Sequence, residues 1–195
     1  MATQSDWSFS NFVHEEIAKK VLYPVLGWTD FTRDDVADRD KGIDYFAKAK
    51  DGRQISIQER FRDGFYGSRY NDFTIRYTRQ HNPDPSRRAS EFFKITADYF
   101  VYGVTNGKKD VGARGDNFIK WAVIDLAVLR RLFDERKIII PDAFGTKPID
   151  HGNGTITIEK RKNVEYSSEF IALDVPMLHK VFGAVGIIIM QKGFF

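Results

Sequence analysis

The sequence has no cysteine among its 195 residues. Disulfide bridges, thiolate zinc sites and a cysteine nucleophile are therefore excluded. Its longest apolar run, residues 181–190, is about half the ~20 residues that a membrane-spanning helix needs. The first residues show no basic stretch followed by an apolar one, so no signal peptide is visible. We expect a soluble, cytoplasmic domain without a membrane partner.

Histidine is also scarce, and the common catalytic motifs are absent. The four histidines are scattered along the chain. His14 opens a His-Glu-Glu-Ile-Ala run, which has Ala18 where a zincin has its second histidine. The sequence holds no P-loop, no dinucleotide-binding fingerprint and no Gly-x-Ser-x-Gly elbow. We therefore expect each histidine to be a surface or structural residue.

Basic charge is concentrated in one segment. The whole chain has 30 Lys plus Arg against 27 Asp plus Glu, a net charge of +3 that by itself indicates no partner. Residues 53–88 hold eight arginines, no lysine and four acids, a net charge of +4. The aromatic residues interleaved with them are Phe61, Phe65, Tyr66, Tyr70, Phe73 and Tyr77. Guanidinium groups bind phosphate and aromatic rings stack on bases, so the segment favours nucleic acid. The alternative is a sheet surface on which Arg stems cover aromatic rings.

The first half of the chain predicts a helix and a β-hairpin. Apolar residues at spacings of three and four predict an amphipathic helix over residues 9–22. Residues 29–41 are polar and acid-rich, and we expect a loop there. Two runs within residues 42–62 are joined by Asp51-Gly52, and this dipeptide between alternating runs predicts a hairpin.

The second half predicts alternating strands and helices. Residues 99–104 and 119–124 are mostly apolar, as in buried strands. Asp125 and Asp174 each follow a strand and precede a helical pattern, where an N-cap belongs. The element order predicts an α/β protein with a mixed β-sheet flanked by helices. At this length we expect a single domain over residues 1–195.

The predicted hairpin places polar groups on one face. Side chains alternate along a strand, so Gln58 and Arg60 share a face while Glu59 points to the other. Asp44, on the first strand, can meet Gln58 and Arg60 across the hairpin. A carboxylate, an amide oxygen and a fixed cation suit a hard divalent ion beside a phosphate. The alternative is a cross-strand ion pair between Asp44 and Arg60 that stabilises the hairpin.

These residues resemble the PD-(D/E)XK nuclease superfamily, the restriction-endonuclease-like fold. The matching features are Glu16 on the first helix, Gly42-Ile43-Asp44, and Ile57-Gln58-Glu59-Arg60. The resemblance covers residues 8–135, a nuclease-like core, and leaves residues 136–195 as a strand-helix extension of the same domain. It implies that Asp44, Gln58 and the backbone carbonyl of Glu59 hold Mg²⁺ or Mn²⁺, with Glu16 binding directly or through water. Arg60 would stand where the family has Lys.

Glu16 and Glu59 each have a second interpretation. In an α-helix Glu16 lies about 60° from the apolar centre near Val13 and can reach the sheet edge. It can instead form an i, i+4 ion pair with Lys20. A bulge could let the Glu59 side chain replace Gln58 as a ligand, although strand alternation argues against it.

The resemblance implies a Mg²⁺- or Mn²⁺-dependent nuclease that hydrolyses phosphodiester bonds, with DNA favoured over RNA. Contacts to the phosphate backbone would come from Arg62, Arg69, Arg76 and Arg79. Arg60 cannot serve as a general base, so water activation would fall to the metal or the scissile phosphate.

Two other function classes stay open. One is a nucleic-acid-binding or assembly module with the nuclease fold that has lost catalysis, as the Gln and Arg replacements suggest. The other is a protein-interaction domain in which the Arg and Tyr cluster is the hot spot. Residues 137–195 are the least interpretable part and could extend the sheet, recognise substrate or make a homodimer contact.

Overall fold

The structure is a computed structural model that describes residues 4–67, 69–78, 91–162 and 168–195. It is a mixed α/β protein, which confirms the predicted class at this level. A six-stranded sheet is accompanied by two three-stranded sheets. Among the described helices, none is long and apolar enough to span a membrane.

The chain begins with one long helical segment whose turns are not uniform. Helix α1 (Gln4–Phe12) runs into a π-helix (Val13–Leu22), and this leads into α2 (Tyr23–Leu26). The predicted helix over residues 9–22 is therefore present, but most of it has wide turns. In a π-helix the hydrogen bonds span five residues, so inward positions recur four and five residues apart. The buried residues follow this spacing at Val13, His14, Ile17, Ala18 and Leu22.

The prediction of a loop over residues 29–41 is wrong. A short strand β1 (Thr29–Thr32) and a helix α3 (Asp35–Lys41) lie there. The Asp34 carboxylate accepts hydrogen bonds from the N–H groups of Val36 and Ala37 at 2.9 and 3.1 Å, which caps α3 despite its polar sequence. Gly42, with φ of 59°, ends the helix.

The hairpin is confirmed. Strand β2 (Tyr45–Lys48) pairs antiparallel with β3 (Gln54–Arg62), and Gly52 takes a φ of 83° in the turn. The pairing runs from Lys48 opposite Gln54 to Tyr45 opposite Ile57. Because β3 is the longer strand, residues 58–62 extend beyond the end of β2.

Beyond the hairpin the main sheet mixes parallel and antiparallel pairs. Strand β4 (Asp72–Thr78) and helix α4 (Glu91–Lys94) precede β5 (Tyr99–Thr105), which lies parallel to β3. β6 (Phe118–Asp125) pairs antiparallel with β5. Helix α5 (Leu126–Asp134) follows β6, and the predicted cap is confirmed because Asp125 accepts a hydrogen bond from the N–H of Val128 at 2.9 Å.

The C-terminal residues contribute to all three sheets. The smallest sheet contains β7 (Ile138–Ile139), β8 (Ile149–Asp150) and β9 (Ile156–Thr157), in the order β7-β9-β8. The strands β10 (Glu159–Lys162) and β11 (Glu169–Asp174) pair with β4 in the order β10-β11-β4. Helix α6 (Val175–Phe182) is capped by Asp174, as predicted, and leads to β12 (Ile188–Lys192). The main sheet thus has the order β1-β2-β3-β5-β6-β12.

Two buried apolar clusters cover the two faces of the main sheet. The first N-terminal helices pack on the face that holds Ile55, Ile57 and Val101. Phe100 and Tyr102 on β5 point to the other face and pack with residues of β4, β11, α5 and α6. The strands in the middle of the sheet are therefore buried on both sides, and the polar residues of β3 stand out against this background.

Candidate functional site

The backbone pairing of β2 with β3 ends at Asp44, and beyond this point the Asp44 side chain forms the hydrogen bonds to β3. The backbone N–H of Asp44 donates to the carbonyl of Ile57 at 2.9 Å. Its Oδ2 atom accepts the backbone N–H of Glu59 at 2.6 Å and the Nε2 amide of Gln58 at 2.7 Å. The same amide lies 3.4 Å from the Glu59 carbonyl oxygen. The structure therefore brings Asp44, Gln58 and the Glu59 backbone to one point.

The Gln58 amide has its oxygen on the opposite side from Asp44. The residue is 6% exposed, and Oε1 has no hydrogen-bond partner among the described residues. A Cβ built on Gly42 would lie 3.2 Å from that oxygen, a tight contact, and the φ of 59° at Gly42 also favours glycine at the position that Oε1 faces. A half-turn of the amide would exchange its oxygen and nitrogen. Three oxygens would then converge, from Asp44, Gln58 and the Glu59 carbonyl.

Asp44 and Gln58 line a cleft of about 350 Å³. Arg60 lines the same cleft, together with Arg62 and Arg76, two of the arginines predicted to contact phosphate. Further lining comes from distant parts of the chain: Asp6, Trp7, Arg33, Asp38 and Lys109. Arg62 is oriented by Thr74, whose hydroxyl accepts a hydrogen bond from its Nη2 at 3.0 Å. The cleft combines five cationic side chains with the carboxylates of Asp6, Asp38 and Asp44, of which Asp6 pairs with Lys109 and Asp38 with Arg33.

One of the arginines predicted to bind phosphate lies elsewhere. The guanidinium of Arg69 lies 4.0 Å from the centre of the Phe65 ring on the exposed surface and does not line the cleft. Arg79 falls outside the described residues.

Glu16 is not brought to the cleft. Its side chain is 52% exposed, and its carboxylate accepts a hydrogen bond from Lys20 Nζ at 2.5 Å, one helical turn away. The prediction that Glu16 reaches the sheet edge assumed 100° per residue. The wider π-helical turn rotates Glu16 away and leaves it in the i, i+4 ion pair.

The Glu59 side chain points to the opposite face of β3 from Gln58. The pairing of β3 with β5 runs without a bulge from residue 57 to residue 62, so alternation holds and Glu59 does not replace Gln58. Its Oε1 atom accepts a hydrogen bond from the hydroxyl of Tyr23 and lies 2.8 Å from Nδ1 of His14. All three side chains are buried, at 6% exposure or less.

His14 contacts both strands of the hairpin directly behind the cleft. Its ring stacks on Tyr45, with centroids 3.7 Å apart and planes 2° from parallel, while Nδ1 contacts Glu59. Tyr45 follows Asp44, and Glu59 lies between Gln58 and Arg60. Burial, reinforced by the nearby Glu59 carboxyl group, raises the pKa of Tyr23 and of Tyr45 well above the ordinary value. Both phenols therefore stay protonated at neutral pH.

His14 is the residue of this region that the sequence interpretation missed. With α-helical spacing, His14 lies 100° from Val13 and outside the apolar stripe. The π-helical spacing places it on the buried face, close above Ala18. The sequence signal for a π-helix is that inward residues recur at intervals of four and five. An imperfect apolar stripe on an α-helix gives a similar pattern.

Among the described residues, no three side chains of His, Cys, Asp or Glu gather in a group that could hold a metal ion. A metal in this cleft would need neutral oxygens, such as the Gln58 amide and the Glu59 carbonyl, besides the Asp44 carboxylate. Hard divalent cations accept such oxygens, and they commonly keep open positions for water and phosphate.

Comparison of the chain with family models, with curated proteins and with solved structures finds no significant match. The function is therefore inferred from the geometry of the cleft.

Proposed function

We propose that this protein is a divalent-metal-dependent phosphodiesterase that hydrolyses nucleic acid, with DNA as the favoured substrate, on a restriction-endonuclease-like fold. One observation carries the proposal. Asp44 Oδ2, the Gln58 amide and the Glu59 backbone converge where β2 and β3 part, in the wall of a cleft lined by arginines.

The element order supports the fold assignment. The N-terminal helices are followed by the antiparallel strands β1, β2 and β3, with α3 between β1 and β2, Asp44 immediately before β2 and Gln58 in β3. The chain then passes through β4 and α4 to β5, which lies parallel to β3. This is the order of the nuclease pattern that the sequence resembles: a helix, an Asp-bearing strand, a hairpin, a strand, a helix and further strands.

The residues fit Mg²⁺ or Mn²⁺ after one local change. Asp44 Oδ2, the Glu59 carbonyl and, after a half-turn of its amide, Gln58 Oε1 would hold the ion. Without a cation three converging acceptors would repel one another, which explains why the amide presents its N–H groups to Asp44. A bound divalent ion would supply charge to a phosphoryl oxygen and lower the pKa of a water molecule.

The arginines of the cleft would bind and polarise the phosphate backbone. Arg60 lies on the same face of β3 as Gln58, so its guanidinium would stabilise negative charge on the reacting phosphate. Arg62 and Arg76 would bind the neighbouring phosphates, and the hydrogen bond to Thr74 holds Arg62 in position.

The proposal is tested by the substitution Asp44→Asn. An asparagine oxygen can still accept from Glu59 and Gln58, so the fold is retained while the negative charge is lost. We expect Mn²⁺-dependent cleavage of plasmid and single-stranded DNA to fall by at least about 100-fold, since charge stabilisation of this kind is worth that much in other enzymes. The calorimetric signal of Mn²⁺ binding should disappear with it.

Asp38→Asn is the matched control. Asp38 also lines the cleft, but it pairs with Arg33 at 3.3 Å instead of contacting Gln58. This variant should retain cleavage and Mn²⁺ binding. Cleavage that is equal in Asp44→Asn and the unmodified protein would refute the assignment of the site.

A nucleic-acid-binding module without catalysis is the second candidate. It is favoured because Asp44 Oδ2, which a metal ion would need as a ligand, already accepts two hydrogen bonds, from Glu59 and Gln58. In that case the unmodified protein should bind DNA and give no Mn²⁺ signal.

A further inference from the structure

A row of aromatic rings follows the end of β3 and leads away from the cleft. We call Phe65, Tyr66 and Tyr70 the aromatic platform. Their ring centroids are 5.5 Å apart between Phe65 and Tyr66, and 5.9 Å apart between Tyr66 and Tyr70. Each ring is accompanied by a guanidinium group. Arg69 lies over Phe65, Arg62 over Tyr66 and Arg161 over Tyr70, at 4.0, 5.3 and 5.6 Å from the ring centres.

Two of the platform rings are exposed, unlike the core aromatic residues of the arginine-rich segment. Phe61 and Phe73 are core residues, at 5% and 0% exposure. Phe65 is 56% exposed and Tyr70 is 39% exposed, and both contact the partly buried ring of Tyr66 between them. Large apolar rings are costly to leave in water, so two exposed rings on either side of a third indicate a binding surface.

The backbone of the platform is held in place by hydrogen bonds. The Gly64 N–H donates to the Gly107 carbonyl at 2.6 Å, and the Asp63 carboxylate accepts the Phe65 N–H at 3.2 Å. The carbonyl of Tyr70 accepts a hydrogen bond from Nζ of Lys120, a lysine that is 2% exposed. A surface anchored in this way loses little conformational entropy when a ligand binds.

Positive charge at the platform comes from Arg69 and Arg62, which lie over Phe65 and Tyr66. Arg161 is neutralised by Asp72 and Glu159. Arg69 pairs with no carboxylate among the described residues, and its guanidinium lies on the Phe65 ring. The platform is also continuous with the cleft, because Arg62 lines the cleft and lies over Tyr66. A strand bound there would meet cations and flat apolar rings in turn.

We propose that the aromatic platform binds unpaired bases of a nucleic-acid strand whose phosphate backbone continues into the cleft. This inference rests on the proposed function and names its substrate class: single-stranded nucleic acid, or a duplex with an unpaired segment. Bases in an intact duplex stack on each other and cannot offer their faces to Phe65 or Tyr70. Unpaired bases stack on aromatic side chains with little sequence preference.

The test measures binding without cleavage, in the presence of a chelator. Fluorescence anisotropy follows a labelled single-stranded oligonucleotide of mixed sequence and the matching duplex. Phe65→Leu combined with Tyr70→Leu keeps apolar bulk but removes the ring faces. We expect single-strand affinity to fall by roughly 5- to 100-fold, the usual size of base–aromatic stacking, while duplex affinity changes by less than about twofold. Phe195→Leu, at a ring of matching 58% exposure outside the platform, should change neither.

The charge of Arg69 gives a second readout. Arg69→Gln should lower the slope of log affinity against log salt by about one, as expected for the loss of one phosphate contact. Equal single-strand affinity in the double variant and the unmodified protein would overturn the inference, and so would equal losses on single strand and duplex. Affinity for single strands that hardly depends on salt would point to a protein partner and would also overturn it.

Failure of this inference and failure of the proposed function are distinguishable. Asp44→Asn leaves every platform residue in place, so cleavage by this variant and single-strand binding by the platform variant are separate readouts. If the unmodified protein shows no cleavage but loses single-strand binding in the platform variant, the inference holds and the catalytic proposal fails. If Asp44→Asn abolishes cleavage while the platform variant binds normally, the reverse is true.

Discussion

The buried contact between Glu59, His14 and Tyr23 leads to a specific prediction about stability. Glu59 accepts hydrogen bonds from the Tyr23 hydroxyl and, with His14 in its Nδ1–H tautomer, from the His14 ring, and none of the three side chains is more than 6% exposed. Glu59→Ala removes the acceptor and leaves both donors inside the protein. Water cannot replace the lost partner as readily as it would at the surface.

The magnitude follows from the number of donors. A buried polar group left without a partner costs about 1–3 kcal/mol, so two donors predict a loss of about 2–6 kcal/mol in the free energy of unfolding. For a chain of this size that corresponds to a fall in Tm of roughly 5–20 °C. Glu59→Gln keeps an acceptor oxygen and should lose less, about 1–2 kcal/mol, because only the charge assistance of the hydrogen bonds is removed.

The assay is urea unfolding followed by tryptophan fluorescence. Trp28 is a suitable reporter because it is buried and its ring lies 5.8 Å from the Tyr23 ring. Glu16→Ala is the control on the helix that carries His14, since Glu16 is exposed and, among the described residues, forms an ion pair with Lys20 that is worth about 0.5 kcal/mol or less. A Glu59→Ala variant within about 1 kcal/mol of the unmodified protein would show that the contact is not a stabilising network.

Two further predictions concern the tyrosines and the close packing of β5. Burial raises the pKa of Tyr23 and Tyr45 well above the ordinary value, and that of Tyr102 to about 12. The folded protein therefore keeps protons that the unfolded chain releases, so its stability is full below about pH 10 and falls as the pH rises toward the raised values. Urea midpoints that stay constant between about pH 9 and about pH 11 would contradict this. Gly103→Ala would place a Cβ 2.5 Å from the Phe118 ring and should cost about 1–3 kcal/mol, whereas Gly112→Ala meets no atom within 4 Å and should be nearly neutral in thermal unfolding.

The elements that the sequence predicted well depend on residues close together in the chain. Asp51-Gly52 between alternating runs determines the hairpin, because the turn conformation sets the pairing of the strands beside it. Asp125 and Asp174 cap their helices as expected, because a capping carboxylate needs only the N–H groups two or three residues ahead. The contact between Asp44 and Gln58 follows from the same hairpin register.

The elements that were missed depend on the surroundings. Helix α3 is polar on most of its surface, so its apolar pattern is too weak to indicate a helix, and its cap at Asp34 resembles any acidic loop. The π-helix has the composition of an α-helix. Its wide turns place His14 on the buried face and Glu16 on the exposed face, the reverse of what α-helical spacing predicts.

The sequence by itself therefore determined the α/β class, the hairpin and the polar group that Asp44 and Gln58 form on it, since each depends on alternation and turns within a few residues. Only the tertiary structure decided the walls of the cleft, because Asp6, Arg33, Arg76 and Lys109 come from segments far apart in the chain. It also decided that His14 supports both hairpin strands, and that Phe65 and Tyr70 are exposed while Phe61 and Phe73 are buried. Burial depends on which distant surfaces pack together, and no local pattern of residues specifies that.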